Sequence, residues 1–191
     1  MRNSTRSWGL NVTKLHLPNI RLNRIIKFDS LKTYFRKLIS YGRRQELLLT
    51  LQTAAVDDLE SLAKLYEELS GEETDLYKMK ENFKLMESNP NYIVLTAKED
   101  NLVVGSVMGI ICLDLVRKCK PFMVIENVIV KNSWRGRGIG VKLMEEIEGI
   151  GRKRECYYTM FVSGVHRKEA HLFYEAIGYN LDFVQGFKKY L

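Results

Sequence analysis

Apolar residues recur along this chain at two spacings, and the alternation between them predicts most of its elements. Leu59, Leu62, Ala63, Leu65, Tyr66 and Leu69 stand three or four apart, one stripe of an amphipathic helix. Asp57 occupies the cap position before that stripe, and Gly71 the position where it should stop. A second helix is expected from about Asp75 to Met86, stopped by Asn89-Pro90. Runs of β-formers separate and follow these helices: a Leu-rich stretch from Glu46 to Thr53, Tyr92 to Ala97, and a long run from Leu102 to Leu113. Glu99-Asp100-Asn101 reads as a hairpin turn, and Gly105 and Gly109 as bends or bulges. Met123 to Val130 makes a further strand, Val141 to Ile150 a helix, Cys156 to Val162 a strand, Lys168 to Ala176 a helix, and Tyr179 to Tyr190 one or two final strands. That order predicts an α+β domain with a mixed sheet.

The first 44 residues follow a different rule. Leu22, Ile25, Ile26, Leu31, Tyr34, Phe35, Leu38 and Ile39 recur near helical spacing, with Asp29 or Ser30 as a cap and Gly42 as a stop. This segment holds eleven Lys or Arg against one acid, Asp29, a net of +10, whereas the remainder holds 19 basic and 22 acidic residues, a net of −3. The whole-chain charge of +7 is therefore a property of the extension. Its Arg- and Ser-rich, acid-poor composition resembles an organelle transit peptide. The helical spacing favours instead an ordered arm that packs on its own domain or on a neighbouring subunit, so a homodimer is one expectation. Two parts are predicted, a basic, partly helical extension over residues 1–44 and one domain over 45–191. Nucleic-acid binding would rest on the extension alone, with no aromatic RNA motif or zinc finger to support it.

Composition removes other classes. No run of 18 uncharged apolar residues marks a membrane span. Cys112, Cys119 and Cys156 form no C-x-x-C pair, and His16, His166 and His171 no ligand group, so neither a metal site nor a disulfide framework is expected; an odd cysteine count suits a reducing, cytoplasmic setting.

Arg135-Gly136-Arg137-Gly138-Ile139-Gly140 carries the sharpest chemical signal. It joins a run of β-formers to a helical run. Glycines crowd backbone N–H groups at a helix start, where the dipole is positive and a phosphate-type anion is favoured. A P-loop needs Lys and then Ser or Thr after its last glycine, but Val141 and Lys142 follow here. A dinucleotide fingerprint needs a third glycine at position 141, which is Val, and a chain long enough beyond it to complete the unit. A strand followed by Arg-x-x-Gly-x-Gly resembles the pyrophosphate loop of the GCN5-related N-acetyltransferases, the GNAT family. Ile125-Glu126-Asn127-Val128-Ile129-Val130 is similar to that family's fourth strand, and the stretch from Ala170 to Tyr179 to its last helix and the turn beyond. The three segments stand in the family's order and spacing.

The resemblance implies a GNAT acyl-CoA N-acyltransferase fold, with a mixed, mostly antiparallel sheet flanked by helices, and acetyl-CoA as co-substrate. It implies that Val128, Ile129 and Val130 offer backbone groups to the pantetheine arm, and that Arg135, Gly136, Arg137, Gly138, Ile139 and Gly140 hold the pyrophosphate. Tyr174 would be the acid that protonates the leaving thiolate; Arg167 and Lys168, near the start of the last helix, either stand on an exposed helix face, the simpler reading, or reach a further phosphate. The asparagine that often precedes the family's last helix is missing from Val165-His166-Arg167-Lys168. Glu126, expected to share an apolar strand face with Val124, Val128 and Val130, suits a base or a ligand for the acceptor amine. His166 and His171 are weaker candidates. The strand is similar to that of glucosamine-6-phosphate acetyltransferases, but Asn127 stands where a second acid is expected. The expected activity is acetyl transfer from acetyl-CoA to a primary amine, on a small molecule or a peptide, by direct attack. The alternative is a non-catalytic acyl-CoA sensor or adaptor with a basic arm.

Overall fold

The structure is a computed structural model that describes residues 49–191; the basic extension over 1–44, its expected helix and residues 46–48 of the first expected strand lie outside the described residues. Five strands form one sheet in chain order: β1 (Thr50–Thr53), β2 (Tyr92–Glu99), β3 (Leu102–Cys112), β4 (Phe122–Val130) and β5 (Thr159–Met160). β1 to β4 pair antiparallel, and β5 joins β4 in parallel. Two helices, α1 (Leu59–Ser70) and α2 (Leu76–Glu87), lie between β1 and β2 in the chain; α3 (Ile139–Lys153) follows β4, and α4 (Lys168–Ala176) follows β5.

Strand alternation divides the core into two layers. Leu95, Ala97, Val104, Val107, Met123 and Ile125 face Ile139, Leu143, Met144 and Ile147 of α3. Val94, Val103 and Ile129 face Leu59, Leu62 and Leu65 of α1 and Phe83 of α2. The helix stripes read from the sequence are the surfaces that cover the sheet.

Caps and turns form where short-range chemistry demands them, with one correction. Gly71 ends α1 at φ +78°, a left-handed turn that a β-carbon would strain. Asp75 caps α2 by accepting the Lys78 N–H at 3.0 Å. Asp100 and Asn101 make the β2–β3 hairpin with φ of +46° and +66°. Before α1, however, Asp58 and not Asp57 takes the buried role, after a single 3-10 turn. Its Oδ2 accepts the Ala55 N–H at 2.9 Å, and its other oxygen pairs with Lys98 on β2. Asp57 is exposed; a partner 40 residues away in sequence, on β2, selects between two adjacent aspartates.

The two strand glycines differ. Gly105 adjoins an irregularity in the β2–β3 pairing that leaves Val104 without an opposite residue. Gly109 sits in unbroken register between Ile93 and Ile125, so it is no bulge. A β-carbon on it would stand 2.8 Å from Cδ1 of Ile147, which is fully buried. The missing side chain lets α3 lie close to the sheet. Gly109→Ala is expected to destabilise the fold by about 1–3 kcal/mol through overpacking, read as a lower urea midpoint at unchanged slope.

The C-terminal strands are the larger correction. β5 is two residues long, not the full stretch from Cys156 to Val162, and residues 179–190 form no strand. Leu181, Phe183, Val184, Phe187 and Tyr190 are exposed. β-propensity is realised only against a partner edge and a covered face, and β5 offers two residues of edge.

Candidate active site

Among the described residues, β4 has a partner on both edges only at its start. β5 pairs with Met123 and Val124, and from Ile125 onward that edge of β4 carries no strand among the described residues. A cleft of about 830 Å³ borders this part of β4. Val128, Ile129 and Val130 line it, as do Arg135, Gly136, Gly138, Ile139 and Gly140 of the glycine loop. The cleft therefore collects eight of the nine residues expected at a cofactor; Arg137 is the exception.

A bulge sets the direction of Glu126. Ser106 opposes Ile129 and Met108 opposes Glu126, so Asn127 and Val128 share Val107 as their only counterpart. Asn127 adopts φ +54°. The extra residue resets the two-residue alternation: Ile125 packs on the α3 side and Ile129 on the α1 side. Glu126, opposite Met108, lies on the α1/α2 side. It does not share a face with Val128 and Val130, as uninterrupted alternation predicted. It is half-buried and does not line the cleft.

The loop braces itself. Arg135 Nε donates to the Val130 carbonyl at 3.1 Å. Arg137 donates to the Ser133 carbonyl at 3.3 Å and lays its guanidinium 4.4 Å over the Trp134 ring, which explains its absence from the cleft. Gly136 and Gly138 hold φ of +75° and +77°, with open space where a β-carbon would be. Gly138 caps α3 with no side-chain bond. The first N–H groups of α3 have no acceptor within the helix, and Ile139, Gly140 and Val141 bring them to the cleft wall. Gly140 is needed for a second reason: a β-carbon there would meet the Phe173 ring at 3.2 Å. Its bareness seats α4 on the first turn of α3.

Tyr174 of α4 also lines the cleft and is only 7% exposed. Its ring packs 4.4 Å from Phe161 and 5.2 Å from Phe173, centroid to centroid. Among the described residues its hydroxyl has no hydrogen-bond partner. Burial raises its pKa above the ordinary phenol value, the Arg167 guanidinium opposes that rise, and the charge of Glu126 adds to it. These couplings bring Arg167, Glu126 and Tyr174 into one electrostatic neighbourhood. His166, Arg167 and Lys168 line the cleft at the start of α4, whereas His171 does not.

Several lining residues carry no sequence signal. Glu68 and Leu69 come from the end of α1, and Glu68 Oε2 accepts the Asn132 N–H at 3.1 Å, tying α1 to the loop entrance. Trp134 is the platform for Arg137. No spacing relates Glu68 and Leu69 to the glycine loop; only the packing of α1 on β4 does. Among the described residues no group of three His, Cys, Asp or Glu could hold a metal ion, and no helix is long and apolar enough to cross a membrane.

The acetyltransferase (GNAT) family model matches residues 53–179, from β1 to the residue after the last helical turn. The chain belongs to this family. Glucosamine 6-phosphate N-acetyltransferase 1 of Dictyostelium discoideum is 24% identical over 107 residues, 52% of this chain and 68% of that protein. A candidate acetyltransferase from Agrobacterium tumefaciens str. C58 superposes with a TM-score of 0.69 at 28% identity, over 74% of this chain and 99% of its own. The aminoglycoside N-acetyltransferase AAC(6')-Iy, solved in complex with CoA, superposes at 0.64 with 17% identity, over 74% and 94% of the two chains. The five-stranded mixed sheet with its flanking helices is thus a GNAT fold, and the cleft lies between its fourth strand and last helix.

Proposed function

We propose that this GNAT protein transfers the acetyl group of acetyl-CoA to a primary amine by direct attack, without a covalent enzyme intermediate. One observation carries the reading: among the described residues, a strand edge without a neighbour, a glycine loop opening a helix, and a mostly buried tyrosine whose hydroxyl has no hydrogen-bond partner border the same cleft. The bare edge of β4 offers main-chain groups to the amides of a pantetheine arm, as in strand addition. The free N–H groups of Gly138 to Val141, at the positive end of α3, suit a pyrophosphate. Arg167 and Lys168 suit a further phosphate. A CoA thioester meets each of these features; a bare nucleotide leaves the strand edge unused.

The chemistry then has three demands. The acceptor nitrogen attacks the thioester carbonyl carbon and negative charge gathers on the carbonyl oxygen, which fixed donors stabilise. The C–S bond breaks and the Tyr174 hydroxyl gives its proton to the sulfur, to be reprotonated from solvent. The amine sheds its own proton to Glu126, directly or through water, or else Glu126 holds the ammonium while its proton passes to solvent water before attack. Its place on the α1/α2 side of the bulge favours an acceptor arriving from that side.

By their names, the Dictyostelium relative and AAC(6')-Iy act on small polyhydroxylated amines, glucosamine 6-phosphate and aminoglycosides. The decisive experiment is thiol release from acetyl-CoA against a panel of glucosamine 6-phosphate, an aminoglycoside, a lysine peptide and a peptide with a free N-terminus. Turnover of at least one amine is expected. Tight CoA binding with no amine acetylated would replace this reading with the acyl-CoA sensor.

A further inference from the structure

Tyr179 lies outside the cleft, yet more is fixed around it than a packed ring requires. Gly178, at φ +100°, donates its N–H to the Glu175 carbonyl at 3.0 Å, and Tyr179 donates its own to the Tyr174 carbonyl at 3.0 Å. This paired closure ends α4 on the residue that carries the proposed acid. The Tyr179 ring is 6.2 Å from that of Tyr174 and 4.8 Å from Phe161, which contacts Tyr174 in turn. The Tyr179 hydroxyl donates to Glu148 Oε1 of α3 at 2.9 Å and shares a hydrogen bond with Thr159 Oγ1 of β5 at 3.0 Å. Glu148 is itself steadied by Arg152 one turn on, at 3.4 Å.

Three elements, α3, β5 and the segment closing α4, therefore meet at one phenol oxygen. Burial pushes this phenol far above its ordinary pKa; the Thr159 hydrogen bond opposes that rise and the Glu148 carboxylate adds to it, so it remains a neutral donor. Packing alone does not call for the hydroxyl: phenylalanine would fill the same space without a polar group to bury. What the hydroxyl adds is direction, since two partners on different elements define its place and hence the seat of the last turn of α4.

We propose that Tyr179 is a positioning residue for Tyr174, its hydroxyl clamped by Glu148 and Thr159 so that α4 presents the Tyr174 phenol at a fixed distance from the reacting sulfur. This rests on the reading of Tyr174 as the acid. Tyr174 touches the cleft and Tyr179 acts through it.

The test is a double-mutant cycle of Tyr174→Phe, Tyr179→Phe and the pair, measured with acetyl-CoA and the panel amine acetylated fastest. Tyr179→Phe is expected to lower kcat about tenfold, as for a reacting group held loosely, while KM for acetyl-CoA and CoA affinity by calorimetry stay within about twofold. In the Tyr174→Phe background the same substitution should cost nothing further. Thr159→Val, which removes one of the two hydroxyl partners and leaves the ring, should give a smaller loss of the same kind. It also serves if Tyr179→Phe melts too early to assay. An unchanged kcat in Tyr179→Phe, or an equal loss in both backgrounds, makes Tyr179 a stability residue only and overturns the proposal. Wild-type turnover in Tyr174→Phe would remove the acid reading and this one together; slow Tyr174→Phe beside fast Tyr179→Phe removes this one alone.

Discussion

Replacing Tyr174 by phenylalanine is expected to lower kcat about 10²-fold at saturating acetyl-CoA, with CoA affinity within about twofold of wild type. The hydroxyl is the only group removed. The ring stays against Phe161 and Phe173, so the fold and the cleft wall persist. Without the phenol the leaving thiolate must depart unprotonated or draw its proton from water, and the loss falls on the chemical step rather than on binding. The pH dependence has a definite sign. Burial raises the Tyr174 hydroxyl above the usual phenol value of about 10, so the acid form persists through the neutral range. Wild-type kcat should fall only as the phenol ionises, at more alkaline pH than an ordinary phenol, and Tyr174→Phe should lack that alkaline limb. Folding follows the same proton: a folded-state pKa that is raised stabilises below the unfolded value and is lost as pH rises through the folded one, so wild type loses stability relative to Tyr174→Phe on the alkaline side. Unchanged turnover in Tyr174→Phe would take this residue out of the mechanism.

Gly138→Asp is expected to weaken CoA binding about 10²-fold with little change in the stability of the free protein. The two halves have separate causes. At φ +77° an aspartate costs about 1 kcal/mol of backbone strain, and the space around its β-carbon is open. Its carboxylate at the start of α3 recovers about 0.3–1 kcal/mol from the helix dipole. The melting temperature should therefore shift by only a few degrees. In the complex the same carboxylate competes with the pyrophosphate for the same N–H groups. Two unit charges about 5 Å apart at an effective dielectric of about 20 repel by roughly 3 kcal/mol, which is about two decades in affinity. Gly138→Ala shares the strain without the charge and should lose less than about tenfold. Calorimetry with CoA separates them; wild-type affinity in Gly138→Asp would show that the loop does not hold the phosphates.

The elements most legible in the sequence are those decided within a few residues. The α1 stripe ending at Gly71, the Asp75 cap, the Asp100-Asn101 turn and the span of α4 follow from helical periodicity, side-chain capping and left-handed tolerance, all local properties. The misreadings share the opposite character. Asp58 prevails over Asp57 because Lys98 waits on β2. Gly109 is bare because Ile147 packs onto it. Residues 179–190 have strand-like composition but no edge long enough to join.

The candidate site divides along the same line. By itself the sequence determined the glycine loop at the start of α3 and a tyrosine in the last helix, because conformational freedom at Gly136 and Gly138 and the register of an amphipathic helix are written in neighbouring residues. Only the tertiary structure decided which edge of β4 stays bare and that Arg137 lies on Trp134 outside the cleft. It also decided that the bulge at Asn127 turns Glu126 toward α1 and α2, and that Glu148, Thr159 and Tyr179 meet at one oxygen. Strand register, bulges and cross-element hydrogen bonds depend on partners brought together by the whole fold, and no window of a few residues contains both halves of such a pair.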